Sequence, residues 1–250
     1  MTIRIIPRLD IKGPNLVKGI HLEGLRVLGK PEMFAKYYYL EGADELIYMD
    51  VVASLYQRNS ILPLISRTAR EIFIPLTVGG GINSLEDIRN LLKAGADKVS
   101  INTAAILNEK LIAEASQRFG SQCIVRAVDA KKQNDNWIVF SHGGTKKTDI
   151  DAIEWMEKLQ KLGAGEILLT SMDKDGAKSG FDLELLKITT KKLTIPVIAS
   201  GGVGSLQDFK DGVIVGGASA LLAASVFHYN EYSISDVKEY LKNENIEVRL

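Results

Sequence analysis

Two aspartates occupy nearly the same setting 119 residues apart. Asp10 closes the run Ile5-Ile6-Pro7-Arg8-Leu9 and precedes Ile11-Lys12; Asp129 closes Ile124-Val125-Arg126-Ala127-Val128 and precedes Ala130-Lys131. A carboxylate at the end of an apolar strand suits general acid–base work, one group giving a proton and the other taking one. A single strand-end Asp would as readily cap a helix or close a turn. The duplicated placement favours chemistry.

Small residues form a second duplicated set. Gly79-Gly80-Gly81 and Asn102-Thr103 follow two successive apolar runs in the first half, and Gly201-Gly202 and Ala224-Ser225 follow two in the second. Glycines let backbone N–H groups approach an oxyanion, and a helix that follows adds its positive end. One Gly-Gly pair is usually just a turn. Two matched sets on opposite sides imply a ligand with a phosphate at each end. Asp175-Gly176 offers further backbone donors.

The elements that must carry these residues alternate. Strands are expected at 3–9, 45–50, 73–78, 98–102, 123–128, 166–171, 195–200 and 220–224. Most are nearly continuous apolar runs, as strands buried on both faces should be. Amphipathic helices are expected at 31–41, 60–71, 84–94, 108–119, 149–162, 183–191, 206–215 and 233–242. Pro31 fits a first helical turn, and Ser84-Leu85-Glu86-Asp87 fits a helix cap. Residues 13–30 form a long loop after the first strand, and residues 131–147 a small excursion or hairpin after the fifth. An open doubly wound sheet is the alternative to a closed barrel. The internal repeat decides for closure. Pro75 to Asp87 lies over Pro196 to Asp208, and Gly42-Ala43-Asp44-Glu45 over Gly163-Ala164-Gly165-Glu166, both at an offset of 121. Two similar half-barrels, about 1–120 and 121–250, close naturally into one (β/α)8 TIM barrel of the usual size.

On that fold Arg4, Glu45, Lys98 and Glu166 fall at strand starts, away from the carboxylates. Two cations and two anions there form either solvated rim charges or a salt-bridged ring at the barrel floor. His21, His142 and His228 have no metal-ligand spacing, and Tyr37-Tyr38-Tyr39 reads as helix packing. No dinucleotide turn with an acidic partner, P-loop or serine elbow is found. A formal net charge of zero gives no field for nucleic acid or an anionic membrane. The single cysteine, Cys123, allows neither an intrachain disulfide nor a cysteine metal cluster. The amino terminus lacks an apolar stretch of signal-peptide length, and no run approaches the roughly 20 apolar residues of a membrane span. A cytoplasmic protein without metal or other cofactor is expected.

Several motifs together resemble one family. Leu9-Asp10-Ile11-Lys12, the stretch Phe-Ile-Pro-Leu-Thr-Val-Gly-Gly-Gly-Ile at 73–82, Gly-Ala-Asp-Lys-Val-Ser-Ile-Asn at 95–102 and Gly-Ala-Gly-Glu-Ile-Leu-Leu-Thr-Ser-Met at 163–172 are similar to the cyclase subunits of imidazole glycerol phosphate synthase. Segments 119–123 and 223–228 extend the likeness over nearly the whole chain. The resemblance implies a lyase that takes ammonia from a glutaminase partner, in a heterodimer. Its bisphosphorylated substrate, a phosphoribulosyl aminoimidazole carboxamide ribonucleotide, would yield imidazole glycerol phosphate and the aminoimidazole carboxamide ribonucleotide. By motif match, Asp10 and Asp129 would be the acid–base pair. Gly81, Asn102 and Thr103 would hold one phosphate; Asp175, Gly176, Gly202, Ala224 and Ser225 the other. Lys18 would close over substrate, and Asp97 would help dock the glutaminase. Arg4, Glu45, Lys98 and Glu166 would gate the entry of ammonia.

The chain departs from the family at three places. Arg8 stands where the family has a small residue or Cys, Gly13-Pro14-Asn15 replaces an Asp-Gly turn, and Arg126 replaces a small apolar residue. Alternation points Arg8 to the same face as Asp10. A guanidinium beside a catalytic carboxylate is expected to lower its pKa, or to contact a substrate anion. Three other readings stand beside the cyclase: a paralogue supplying ammonia to surface-sugar amidation, the related sugar isomerase, and a non-catalytic scaffold for a glutaminase.

Overall fold

The structure, a computed structural model, describes residues 2–19, 25–53 and 61–250. His21 and the expected helix start at Ser60 lie outside the described residues. The first half contributes strands β1 (Arg4–Lys12), β2 (Asn15–Gly19), β3 (Leu25–Gly29), β4 (Leu46–Asp50), β5 (Leu76–Gly79) and β6 (Lys98–Ile101). The second contributes β7 (Ile124–Gln133), β8 (Asn136–Ser141), β9 (Lys146–Asp151), β10 (Glu166–Ser171), β11 (Val197–Ser200) and β12 (Ala220–Ala223). Eight of these, in the order β1-β4-β5-β6-β7-β10-β11-β12, pair in parallel and close when β12 returns to β1. The fold is a (β/α)8 TIM barrel.

Helices link the barrel strands and cover them. They are α1 (Pro31–Leu40), α2 (Leu62–Thr68), α3 (Leu85–Ala94), α4 (Thr103–Leu107) and α5 (Lys110–Phe119) in the first half. The second half adds α6 (Ala152–Lys161), α7 (Leu183–Lys192), α8 (Leu206–Ile214), α9 (Ser225–His228) and α10 (Ile234–Asn243). The repeat is visible in the capping chemistry. The Ser84 side chain accepts from the Asp87 N–H at the start of α3, and Ser205 accepts from Asp208 at the start of α8. Each cap satisfies a donor that the first helical turn leaves open, which stabilises a helix by about 1 kcal/mol. None of the described helices is long and apolar enough to cross a membrane.

The apolar side chains form two cores. The larger lies between strands and helices, around Ile5, Leu9, Val99, Val128 and Phe209. The smaller fills the barrel itself with Ile6, Ile47, Val125, Ala127, Leu168, Ile198, Ala220 and Leu222. They come from six of the eight barrel strands and belong to the set that pleating turns inward.

Three expectations need correction. Residues after the first strand do not all form a loop: β2 pairs antiparallel with β1 and β3 with β2, so Leu16 and Val17 are buried. The helix expected from residue 149 starts at Ala152, because Lys146–Asp151 is β9, paired antiparallel with β8. The segment before α5 contains a separate short helix, Thr103–Leu107.

Candidate active site

Pleating stacks the candidate site residues by height. On β1 the inward face reads Arg4, Ile6, Arg8 and Asp10 from floor to mouth. On β7 it reads Val125, Ala127 and Asp129. One strand thus carries a floor cation, a lumen-filling apolar residue and a mouth carboxylate at intervals of two.

At the floor the four charges close a ring. Arg4 Nη1 donates to Glu45 Oε1 at 2.7 Å, and Arg4 Nη2 donates to Glu166. Lys98 Nζ donates to both Glu45 oxygens at 3.0 Å and to Glu166 at 3.2 Å. Both glutamates are nearly buried, with side chains 7% exposed. Burial opposes the charge of Arg4, but Glu166 and Glu45 outweigh it and hold the guanidinium above its ordinary value. The reading of these residues as solvated rim charges is therefore set aside. The inner apolar layer lies directly above, between the ring and the mouth. Asp97, beside Lys98 at this rim, is exposed and accepts from the Leu76 N–H at 2.8 Å.

At the mouth, Asp10 and Asp129 stand on strands four places apart in a ring of eight, so they face each other. Arg8 lies between them in charge. Its Nε donates to Asp10 Oδ1 at 2.8 Å, and the fields of Asp175 and Asp129 also act on it. Burial opposes its charge, yet the carboxylates hold it above its ordinary value. Asp129 accepts from Asn102 Nδ2 at 2.9 Å. Burial pushes Asp129 up to about 6; Arg8 pulls it down, Asp175 adds to the rise and the Asn102 hydrogen bond opposes it. At Asp129 the guanidinium of Arg8 does pull the carboxyl down, but desolvation outweighs that attraction.

Seven of the expected site residues line a single pocket at the ends of β11 and β12. They are Asp10, Lys18, Asp175, Gly176, Gly202, Ala224 and Ser225. Lys18 reaches it from the antiparallel strand β2. Arg8 and Lys178 also line it. Lys178 escaped the sequence reading; it follows Asp175-Gly176 in the same turn, at a positive φ of 51°, and that turn was the available signal. The glycines are needed for close approach. A Cβ on Gly80 would lie 2.2 Å from the Asp50 carbonyl, and one on Gly201, its repeat mate, 2.8 Å from the Ser171 carbonyl. Each loop folds against the end of the preceding strand, which only an unsubstituted residue at positive φ permits.

The other three expected phosphate residues lie at the ends of β5 and β6. Asn102 bonds Asp129, and the Thr103 hydroxyl accepts the His142 N–H at 2.8 Å, so the tip of the β8–β9 hairpin covers this side. Gly81 sits at the end of β5, its carbonyl accepting from Asn83 Nδ2 at 2.9 Å. His142 acts through its backbone. His228, also set aside as a metal ligand, is buried beneath the mouth, with Nδ1 2.6 Å from the Tyr38 hydroxyl. Burial, aided by Lys18 and opposed by Asp10 and the Arg8 backbone, lowers His228 to about 4.

Arg126 does not belong to the mouth. It has the opposite parity to Asp129 and lies fully buried on the outer side of β7. Its Nη2 donates to the Asn102 carbonyl at 3.3 Å, and its Nε and Nη1 find no partner among the described residues.

A closed parallel barrel with facing carboxylates and glycine-rich turns at the carboxyl ends of its strands has the organisation of a (β/α)8-barrel enzyme. The sequence model of the histidine biosynthesis protein family matches residues 4–233, and the chain belongs to that family. It is a barrel enzyme of the histidine-biosynthesis type.

Proposed function

We propose that the protein is the ammonia-dependent cyclase of this family rather than its isomerase. The observation that carries this reading is the closed ring of Arg4, Glu45, Lys98 and Glu166 beneath the lumen. An isomerisation has no need of a gated floor, whereas a neutral molecule entering from a glutaminase docked near Asp97 would pass the ring and the apolar layer. The substrate would span the mouth, with one phosphate at Gly202, Ala224 and Ser225 and the other at Gly81, Asn102 and Thr103. Lys18 would close over it.

Between those ends Asp129 and Asp10 handle protons. With a pKa of about 6, Asp129 exchanges its proton near neutral pH, as a general acid–base group must. Asp10, held by Arg8, is the opposing carboxylate. Purified protein, ammonium ion and the ribulosyl substrate should give imidazole glycerol phosphate. Ammonia-independent turnover of the aldose precursor would mark an isomerase instead.

The Arg8–Asp10 pair favours one second reading, a paralogue that feeds ammonia to the amidation of a surface sugar. Rescue of a cyclase-deficient histidine auxotroph by this chain would count against it.

A further inference from the structure

Arg8 is unusual in what it leaves open. Its Nε is committed to Asp10, while Nη1 and Nη2 make no hydrogen bond to the described residues. The side chain is 23% exposed and lines the β11–β12 pocket. A guanidinium presents its two Nη groups as a planar fork that matches two oxygens of a phosphate. The carboxylate on Nε fixes the plane of that fork and limits its rotation.

The charges lining the pocket explain why such a group is needed. Asp10 and Asp175 are set against Lys18 and Lys178, and Lys178 is drawn toward Glu231 by an ion pair. Without Arg8 the lining carries as many negative as positive charges, and a dianion would meet two carboxylates at close range. With Arg8 the balance becomes positive, and the carboxylate nearest strand β1 is neutralised.

We propose that Arg8, oriented by Asp10, is the specificity-determining residue of the β11–β12 pocket and grips the ligand's terminal phosphate there through its Nη pair. Asp10 is then a positioning residue for that grip as well as part of the carboxylate pair. The inference rests on the reading of this pocket as a phosphate site, and it makes Arg8 a selector for a phosphate lying closer to strand β1 than the backbone donors alone would hold it.

The test is titration of the whole protein with inorganic phosphate, followed by calorimetry and phosphorus NMR, with Ser225→Asp locating the bound ion. Loss of one charge-assisted bidentate contact corresponds to roughly tenfold or more in affinity. Arg8→Met should weaken phosphate binding by about that factor, and Arg8→Lys, which keeps the charge without the fork, should recover only part of it. Lys192→Ala, which breaks only an exposed ion pair with Glu157 on the helical surface, should leave this binding unchanged. In turnover assays Arg8→Met should raise KM far more than it lowers kcat. Circular dichroism checks that the variants fold, and Asp10→Asn, which frees the fork without removing it, gives an independent arm with a smaller loss. Phosphate bound equally well by the parent, Arg8→Met and Arg8→Lys overturns the inference and leaves the pocket reading standing. No phosphate binding by the parent, or phosphate binding that Ser225→Asp leaves undiminished, overturns both.

Discussion

Asn102 Nδ2 lies 2.9 Å from Asp129 Oδ2, so the residue that starts the turn after β6 also holds the carboxyl of the neighbouring strand. A hydrogen bond donated to a carboxylate favours its ionised form. Asn102 therefore restrains a group that burial has already pushed up to about 6. Asn102→Ala should move the Asp129 titration upward, measured by carboxyl-carbon NMR and by the pH dependence of kcat/KM. Turnover at pH 7 should fall by about tenfold or more. An unmoved titration would show that the hydrogen bond has no hold on Asp129.

The same carboxyl makes stability depend on pH in a direction opposite to that of most aspartates. Its folded value is raised, from 3.8 to about 6, so the native state binds the proton more tightly than the unfolded chain. Its contribution is fully present below about 4 and is lost as pH rises through 6, at most about 3 kcal/mol in all. His228 has the reverse slope. Its folded value falls from 6.5 to about 4, so stability is lost as pH drops from 6.5 toward 4. The two nearly offset each other in the parent. Asp129→Asn should be more stable than the parent by about 1–3 kcal/mol at pH 7.5, with the gain fading below pH 4. His228→Gln should grow more stable relative to the parent on acidification over the same range. Urea unfolding at pH 4, 5, 6 and 7.5 reads both, and parallel curves for all three proteins would refute the assignment.

At the floor, the ring shares two cations between two buried carboxylates, so removing one member leaves charges without partners. Glu45→Ala leaves Arg4 and Lys98 with Glu166 alone and should cost about 2–4 kcal/mol. Adding Lys98→Ala removes the stranded ammonium. The double variant should therefore lose about 1–3 kcal/mol less than the sum of the single losses. Additive losses would mean that the ring is only a set of solvated rim charges.

The barrel and the placement of most candidate site residues were legible because they follow from periodicity and repetition. The inward set is every second residue from Arg4 to Asp10, and the 121-residue offset carries Ser84 to Ser205 and Gly80 to Gly201 with the same local role. What escaped depended on pairing with a neighbouring strand rather than on the segment's own residue pattern. Lys146–Asp151 is polar and has no strand pattern of its own; pairing with β8 makes it a strand. Asn15–Gly19 is short, and its pairing with β1 buries Leu16 and Val17. Whether Asp129 is raised or lowered was likewise beyond the sequence, because it turns on how much water burial removes compared with what Arg8 returns.

Arg126 shows how far such a balance can run against the charged form. The side chain is fully buried; among the described residues two of its nitrogens have no partner and its one hydrogen bond is long at 3.3 Å. Burial lowers its pKa to about 9, which is the mark of a cation held at a cost to the fold. The Asn102 carbonyl it contacts does not depend on it, since the Ala105 N–H also donates there at 3.0 Å. Methionine has comparable length and no charge to desolvate. Arg126→Met should raise stability by about 1–4 kcal/mol at neutral pH, whereas Arg126→Lys, which still buries a cation, should not. Thermal and urea unfolding compare the three proteins. If Arg126→Met were the least stable, the guanidinium would be supporting the Asn102 turn more than its burial costs. In that case Arg126→Met should also shift the Asp129 titration as Asn102→Ala does, which separates a role in the site from a burden on the core.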